Sequence, residues 1–189
     1  MEEKLKQAKS NCLKIALFGP ESTGKTTLAK QLARHYNSIW VPEYARHYLQ
    51  RKWNNERKTC EQSDLLPIAV GQMRLENESA LKTDTVLICD TDLLETKVYS
   101  EEYYKGSCDL LLEKFALQNT YDLYFLTYID SPWEADDLRD RPAERERMFK
   151  AFENTLIKYN RPYVLLKGCK SDRLKEAIKH IDLLLKNRD

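Results

Sequence analysis

Apolar positions along the chain cluster into five short runs, at residues 13–18, 39–42, 86–89, 121–129 and 163–166, each bounded by turn-forming residues. Short apolar runs of this kind predict strands. Between them, apolar residues recur at helical spacing over 25–36, 43–51, 61–81, 93–104, 110–117, 143–159 and 172–185. Strands alternating with helices predict an α/β fold with parallel strands and crossover helices on both faces, and place ligands beyond the carboxyl ends of the strands. Residues that follow each strand therefore carry the functional reading.

The first strand runs into GPESTGKT, residues 19–26, which satisfies G-x-x-x-x-G-K-[ST] between a predicted strand and a predicted helix. In such a loop Gly19 and Gly24 let backbone N–H groups turn inward around phosphate oxygens, and the helix that follows presents its positive end. Lys25 reaches the β and γ phosphates and Thr26 offers its hydroxyl to Mg²⁺. The sequence thus predicts a P-loop that holds a nucleoside triphosphate, ATP, on Gly19, Glu21, Ser22, Thr23, Gly24, Lys25, Thr26 and Thr27.

Three further segments suggest the reaction. TVLICDTD, residues 85–92, ends the third strand on two acids. Asp90 is expected beside the P-loop, where a carboxylate holds the hydration shell of Mg²⁺. Two neighbouring carboxylates resist ionising together unless a cation or donors share them. Asp92 therefore reads either as an acid facing the acceptor or as the cap of the helix beginning at Leu93. In WVPEYARHYL, residues 40–49, Glu43 ends the second strand and is expected to face an acceptor hydroxyl, with Arg46 one helical turn on pairing with Glu43 or a phosphate. Trp40 and Tyr44 either offer flat faces to an aromatic ring or pack in the core. In DSPWEADDLRDRPAERER, residues 130–147, Arg139, Arg141, Arg145 and Arg147 precede a helix with Pro142 near its first turn. They read either as a lid, over about 131–147, that neutralises the charge of a transferring phosphoryl group, or as a solvated helix start. Trp133 in the same segment is expected at the acceptor.

No DxxG follows the third strand and no NKxD occurs, which counts against a GTPase switch; no glutamate follows Asp90, which counts against a motor or AAA-type ATPase. A small-molecule kinase is left, with a nucleotide-sensing module and a regulatory ATPase as the other readings. Composition narrows the partners. Lys and Arg total 31 against 30 Asp and Glu, a net charge of +1, so no global field points to nucleic acid or an anionic membrane. The 5 cysteines form no CxxC pair and read as reduced thiols. The first residues lack the apolar core of a signal peptide and no run approaches the ~20 residues of a membrane span. A cytoplasmic protein acting on a small molecule is expected, organised as an extension over residues 1–12 and a single domain over 13–189; a homo-oligomer is left open.

Taken together, EYAR followed by His47 and Tyr48, SDLLPIAVGQ at 63–72, CDTD at 89–92 and SPWEADDLR at 131–139 resemble the ribosylnicotinamide kinase domain of bacterial NadR-type proteins. The resemblance covers nearly the whole chain from Leu13. It implies the P-loop kinase fold with a five-stranded parallel sheet, and transfer of the ATP γ-phosphoryl group to the 5′-hydroxyl of nicotinamide riboside. Either Glu43 or Asp92 would then take the hydroxyl proton while the other holds ribose hydroxyls, and Arg139 and Arg141 or Arg145 would close over the transition state. In the P-loop kinase fold the adenine is expected at KGCKSDR, between Gly168 and Arg173, unless that segment is a plain turn capped by Ser171 or Asp172. Some members carry an aromatic residue immediately before EYxR; here Pro42 stands there, with Trp40 two positions earlier on the same side of the strand. NadR-type proteins usually carry further domains ahead of the kinase. With about 12 residues before the first strand, neither adenylyl transfer nor repression is expected of this chain.

Overall fold

In the computed structural model, which describes residues 1–138 and 142–188, the elements run in chain order as follows. They are β1 (Leu13–Phe18), α1 (Lys25–His35), β2 (Ile39–Val41), α2 (Tyr44–Glu56), α3 (Leu65–Ala80), β3 (Val86–Asp90), α4 (Leu93–Tyr103), α5 (Leu110–Gln118), β4 (Leu123–Thr127), α6 (Arg145–Lys158), β5 (Tyr163–Leu166) and α7 (Lys170–Lys186). The five strands form one parallel sheet in the order β2-β3-β1-β4-β5.

Every residue of β1 is buried because it is the central strand, covered on both faces. Leu13, Ile15 and Leu17 point into a core with Leu28 and Leu32 of α1 and Ala177 and Ile181 of α7. Ala16 and Phe18 point the other way, into a larger core built with α3, α4, α5 and α6. Lys14, on that second side, is buried against Glu76, whose carboxylate also accepts from Tyr121 at 2.6 Å. Such a charge is tolerated in the interior because it is paired and hydrogen-bonded.

Element boundaries differ from the sequence reading where side chains intervene. The stretch at 61–81 opens with a 3-10 turn, Gln62–Asp64, because the Asp64 carboxylate accepts from the Glu61 amide at 2.8 Å and closes the turn before α3 begins. α2 runs five residues past position 51, through Asn54 and Asn55, held by Lys52 on Asp64 at 2.6 Å and Glu61 at 2.7 Å; it stops where Arg57 turns left-handed at φ 56°. β4 is five residues rather than nine; it registers with β1 over Leu123–Leu126 and with β5 over Tyr124–Thr127. All five cysteines are free thiols. No helix among the described residues is long and apolar enough to cross a membrane.

Candidate active site

The carboxyl ends of β1, β2 and β3 meet at the loop that joins β1 to α1. Gly19 takes φ 134°, and a Cβ there would lie 2.8 Å from the Thr127 hydroxyl and 3.0 Å from its carbonyl oxygen, so only glycine lets the loop pass the end of β4. Gly24 takes φ 84° as the cap residue from which α1 springs, leaving that helix's first N–H groups facing the loop. Buried Thr23 fixes the loop from below: its hydroxyl donates to Pro20 O at 2.8 Å and lies 2.7 Å from the Thr127 hydroxyl. Lys25 Nζ folds back into the loop, donating to Gly19 O at 2.5 Å and Pro20 O at 3.0 Å, and stands 3.3 Å from Glu95 Oε1. A cavity of about 400 Å³ opens above, lined by residues 21–27 of the loop, with Glu43 and Arg46 on one side and Ser131, Pro132 and Lys170 on the other.

Thr26 and Asp90 come together as the sequence predicts, with Thr26 Oγ1 donating to Asp90 Oδ2 at 2.6 Å. The other oxygen of Asp90 is buried and has no hydrogen-bond partner among the described residues. Burial, and then the nearby Glu43, push its carboxyl up to about 6, against the Thr26 bond. A hydroxyl beside a carboxylate with an unsatisfied buried oxygen fits a divalent cation that completes its shell with water and phosphate. Among the described residues no cluster of three or more His, Cys, Asp or Glu would hold a metal by protein ligands alone.

A second cavity, of about 260 Å³, adjoins the first. Both are lined by Glu21, Glu43, Leu49, Tyr99 and Leu138. Glu43, half-buried at the cap position of α2, thus stands where the two spaces join. Glu95, Tyr99 and Tyr103 follow one another at i, i+4 and i+8 along α4 and form one wall, continued by Tyr104. Glu95 is 3% exposed, and its Oε2 has no hydrogen-bond partner among the described residues. Burial pushes its carboxyl well above the usual range, opposed by Lys25. Sequence reasoning missed this wall; the signal was the spacing of Glu95, Tyr99 and Tyr103 on one face of a helix that starts at a strand tip.

Several predicted residues lie elsewhere. Asp92 does not face an acceptor. It is 1% exposed, caps α4 by accepting from the Glu95 amide at 2.9 Å, and accepts from the Tyr124 hydroxyl at 2.9 Å with its other oxygen, so both carboxylate oxygens are used inside the core. Thr91 takes φ 78° between the two acids, which breaks the strand alternation and turns Asp92 inward. Trp40, partly buried, packs against the core on the α1 side, with Lys30 5.2 Å above its ring, and lines neither cavity. Tyr44 lies flat against α3, where a Cβ on Gly71 would come within 2.0 Å of the ring. Gly168 and Arg173 also line neither cavity. Arg173 is buried beneath the loop, donating to Gly168 O at 3.0 Å, Thr23 O at 2.5 Å and Tyr128 O at 3.0 Å, and paired with Asp130.

The segment after β4 reaches back over the loop through Ser22. The Glu134 amide donates to Ser22 Oγ at 2.8 Å, while Ser131 Oγ at 2.8 Å and Arg145 Nη2 at 3.3 Å donate to its carbonyl oxygen. Arg145 also donates to Ser131 O at 2.9 Å and stands 5.7 Å above the Trp133 ring. Trp133 therefore packs under Arg145 and lines neither cavity. Arg46 of α2 pairs with Asp136, and Gln50 donates to Asp137 Oδ2 at 3.3 Å, so α2 and this segment are tied together across the cavity mouth. Arg147 turns outward to Glu102 at 3.1 Å and Glu144. Arg139 and Arg141, expected in the lid, lie outside the described residues.

A family model described as an AAA domain matches residues 14–173. The trifunctional NAD biosynthesis/regulator protein NadR of Salmonella typhimurium is 29% identical over 143 residues, which are 76% of this chain and 34% of that protein. This chain therefore spans about a third of the length of the curated relatives it matches. A crystal structure of NadR in complex with NR superposes with a TM-score of 0.74 at 22% identity, covering 93% of this chain and 52% of that one. Deoxyadenosine kinase from M. mycoides with bound dCTP superposes at 0.60 and 13% identity, over 90% and 99% of the two chains. At these identities the superpositions establish the fold.

Proposed function

The chain belongs to the AAA-domain family, and from that premise and the paired cavities we propose that it is an ATP-dependent kinase that phosphorylates the 5′-hydroxyl of a ribonucleoside, nicotinamide riboside. The observation that carries the reading is the second cavity. It opens onto the P-loop cavity at Glu43, it is walled by Tyr99, Tyr103 and Tyr104, and its charged lining among the described residues is acidic throughout: Glu21, Glu43, Glu95 and Asp137. Such a wall repels an acceptor that already carries a phosphate and favours one with a cationic ring, which a pyridinium nucleoside supplies. The NadR relative and the NadR complex with NR support the same acceptor.

In this reading the triphosphate of ATP lies on the backbone of residues 19–27 and on the N-terminus of α1. Lys25 leaves the Gly19 and Pro20 carbonyls for the β and γ phosphates. Thr26 and Asp90 would hold Mg²⁺, which when bound neutralises phosphate charge. The acceptor hydroxyl comes to the junction of the cavities, where Glu43 orients it and takes its proton. The bond from the acceptor oxygen to the γ phosphorus forms as the bond from that phosphorus to the β–γ bridging oxygen breaks, and ADP leaves. Arg145 lines neither cavity and acts through the loop, donating to Ser22 O beneath the phosphate site. Positioning and electrostatics supply most of the acceleration.

An ADP-release assay tests the reading, with ATP·Mg²⁺ and nicotinamide riboside, uridine, thymidine or no acceptor, and with the mass of the product determined. ADP release with nicotinamide riboside and a product heavier by one phosphoryl group is expected. Equal ADP release without an acceptor would overturn the kinase reading.

A further inference from the structure

Glu95 takes no part in the steps above, yet it is the most deeply buried acid of the acceptor wall. Its two oxygens have different surroundings: Oε1 is 3.3 Å from the Lys25 ammonium, and Oε2 is buried with no hydrogen-bond partner among the described residues. It lines the acceptor cavity and not the nucleotide cavity. A buried carboxylate oxygen with no partner, on a side chain that lines a cavity, is costly unless a small turn of that side chain lets the cavity's occupant supply a donor. When Lys25 moves onto the phosphates, the need for that donor grows, because Glu95 loses its counter-ion.

The stripe on α4 says which part of an acceptor lies there. Glu95 and Tyr103 are eight residues apart, about 12 Å along a helix at ~1.5 Å per residue. Glu95 is at the end next to Lys25, and Tyr103 is at the far end. A nucleoside whose 5′-hydroxyl points at the phosphates sets its sugar beside Glu95 and its ring among Tyr99, Tyr103 and Tyr104. The donors that a sugar presents at that level are its 2′- and 3′-hydroxyls.

Building on the kinase reading, we propose that Glu95 recognises the acceptor sugar, accepting a hydrogen bond from a ribose hydroxyl through Oε2 and so selecting ribonucleosides over their deoxy analogues. A site that leaves a buried acceptor unpaired rejects the analogue lacking the hydroxyl far more strongly than an apolar pocket rejects a missing methylene.

The test compares kcat/KM for nicotinamide riboside and its 2′-deoxy and 3′-deoxy analogues, with ATP·Mg²⁺, in the wild type, Glu95→Ala and Glu95→Gln, with melting temperatures recorded for each. The wild type is expected to prefer the full ribose over at least one deoxy analogue by about 100-fold, Glu95→Ala to lower that ratio at least about tenfold, and Glu95→Gln, which keeps a carbonyl oxygen, to fall between. A ratio is read rather than a rate, so general damage to the enzyme does not imitate the effect. No wild-type preference, or a preference undiminished in both variants, overturns the role of Glu95 while leaving the kinase reading standing. Should Glu95→Ala fail to fold, a Glu95→Gln ratio equal to the wild type's also overturns it. Absence of phosphorylation of any nucleoside overturns both.

Discussion

Replacing Arg173 separates two roles that its position near the P-loop suggests, a contact to the nucleotide and a pin beneath the loop. The guanidinium is 6% exposed and meets three carbonyl oxygens, of Gly168, Thr23 and Tyr128, as well as the Asp130 carboxylate. Arg173→Ala leaves Asp130 without its counter-ion and the Thr23 carbonyl without a donor. Breaking a buried pair by removing one partner costs about 3–5 kcal/mol. Asp130 keeps 29% of its side chain exposed, so water screens part of the loss and the lower end, about 3 kcal/mol, is expected. For a chain of this length that corresponds to a fall in Tm of roughly 6–12 °C, at about 2–4 °C per kcal/mol. Because Thr23 belongs to the phosphate loop, the ATP KM should rise as well, with Arg173→Lys intermediate since an ammonium cannot span all four partners. Thermal melts and initial rates against ATP measure both effects. A variant with an unchanged Tm and a raised ATP KM would refute the reasoning and return Arg173 to the nucleotide.

Lys25→Met should reduce kcat by at least about 10²-fold, since it removes a preorganised charge aimed at the transferring phosphoryl group; more than a tenth of wild-type ADP release would count against the phosphate assignment. Asp92→Asn should keep turnover within about threefold, because Asn still caps α4 and Asp92 touches neither cavity. The same variant alters the pH dependence of stability. Burial raises the Asp92 carboxyl to about 6 in the folded protein, against its hydrogen bonds from Glu95 and Tyr124. The folded state therefore retains a proton that the unfolded chain releases near its ordinary value of about 4. That contribution is fully present below about pH 4 and is lost as pH rises through 6. Between pH 7.5 and pH 4.5 the wild type should gain Tm relative to Asp92→Asn, and a constant difference would contradict the assignment. Gly71→Ala tests the seat of α2. In a helix interior alanine is favoured over glycine by about 1 kcal/mol, yet a methyl 2.0 Å from the Tyr44 ring forces repacking that costs about 1–3 kcal/mol. A lowered Tm and a lowered kcat, through displacement of Glu43, are expected; a raised Tm would show that Tyr44 yields freely.

The fold and the nucleotide half of the site were legible because local spacing decides them. Five apolar runs and the G-x-x-x-x-G-K-T turn fix β1, α1 and the loop, and Asp90 reaches Thr26 because it continues the alternation of β3. The acceptor half was less legible for a related reason. Of the two readings open for Asp92, an acid facing the acceptor or the cap of the helix at Leu93, the structure shows the cap, because the strand ends at Asp90 and Thr91 turns the chain. From that turn onward the helical period governs, and it selects Glu95, Tyr99 and Tyr103 for the cavity. Trp40 packs, partly buried, against the core on the α1 side, and Tyr44 packs against Gly71 of α3, so packing and not an aromatic ligand accounts for both. The missing glutamate after Asp90 counts against a motor or AAA-type ATPase, a matter of activating water, and the match of the AAA-domain model to residues 14–173 leaves that untouched; Thr91, in the glutamate's place, lines the second cavity. Family membership and the fate of the phosphoryl group are separate questions.

The division between the two cavities follows from strand parity. In β3, Val86 and Ile88 point toward the α1 core and Leu87 and Cys89 toward the other. By the same alternation Asp90 points toward α1, onto Thr26. Leu17 pairs with Asp90 and Val41 with Cys89, so the ends of β1, β2 and β3 lie side by side, and Gly19, Glu43 and Asp90 leave the sheet together. A slip of one residue in β3 would bury Asp90 on the α3 side and send Cys89 toward Thr26, which removes the metal-side carboxylate without altering a single residue of the P-loop. The apolar alternation that drives β3 into the sheet is thus the same feature that sets an acid beside the phosphate loop. The turn at Thr91 then ends that alternation, which leaves α4 free to face the acceptor with a different set of side chains.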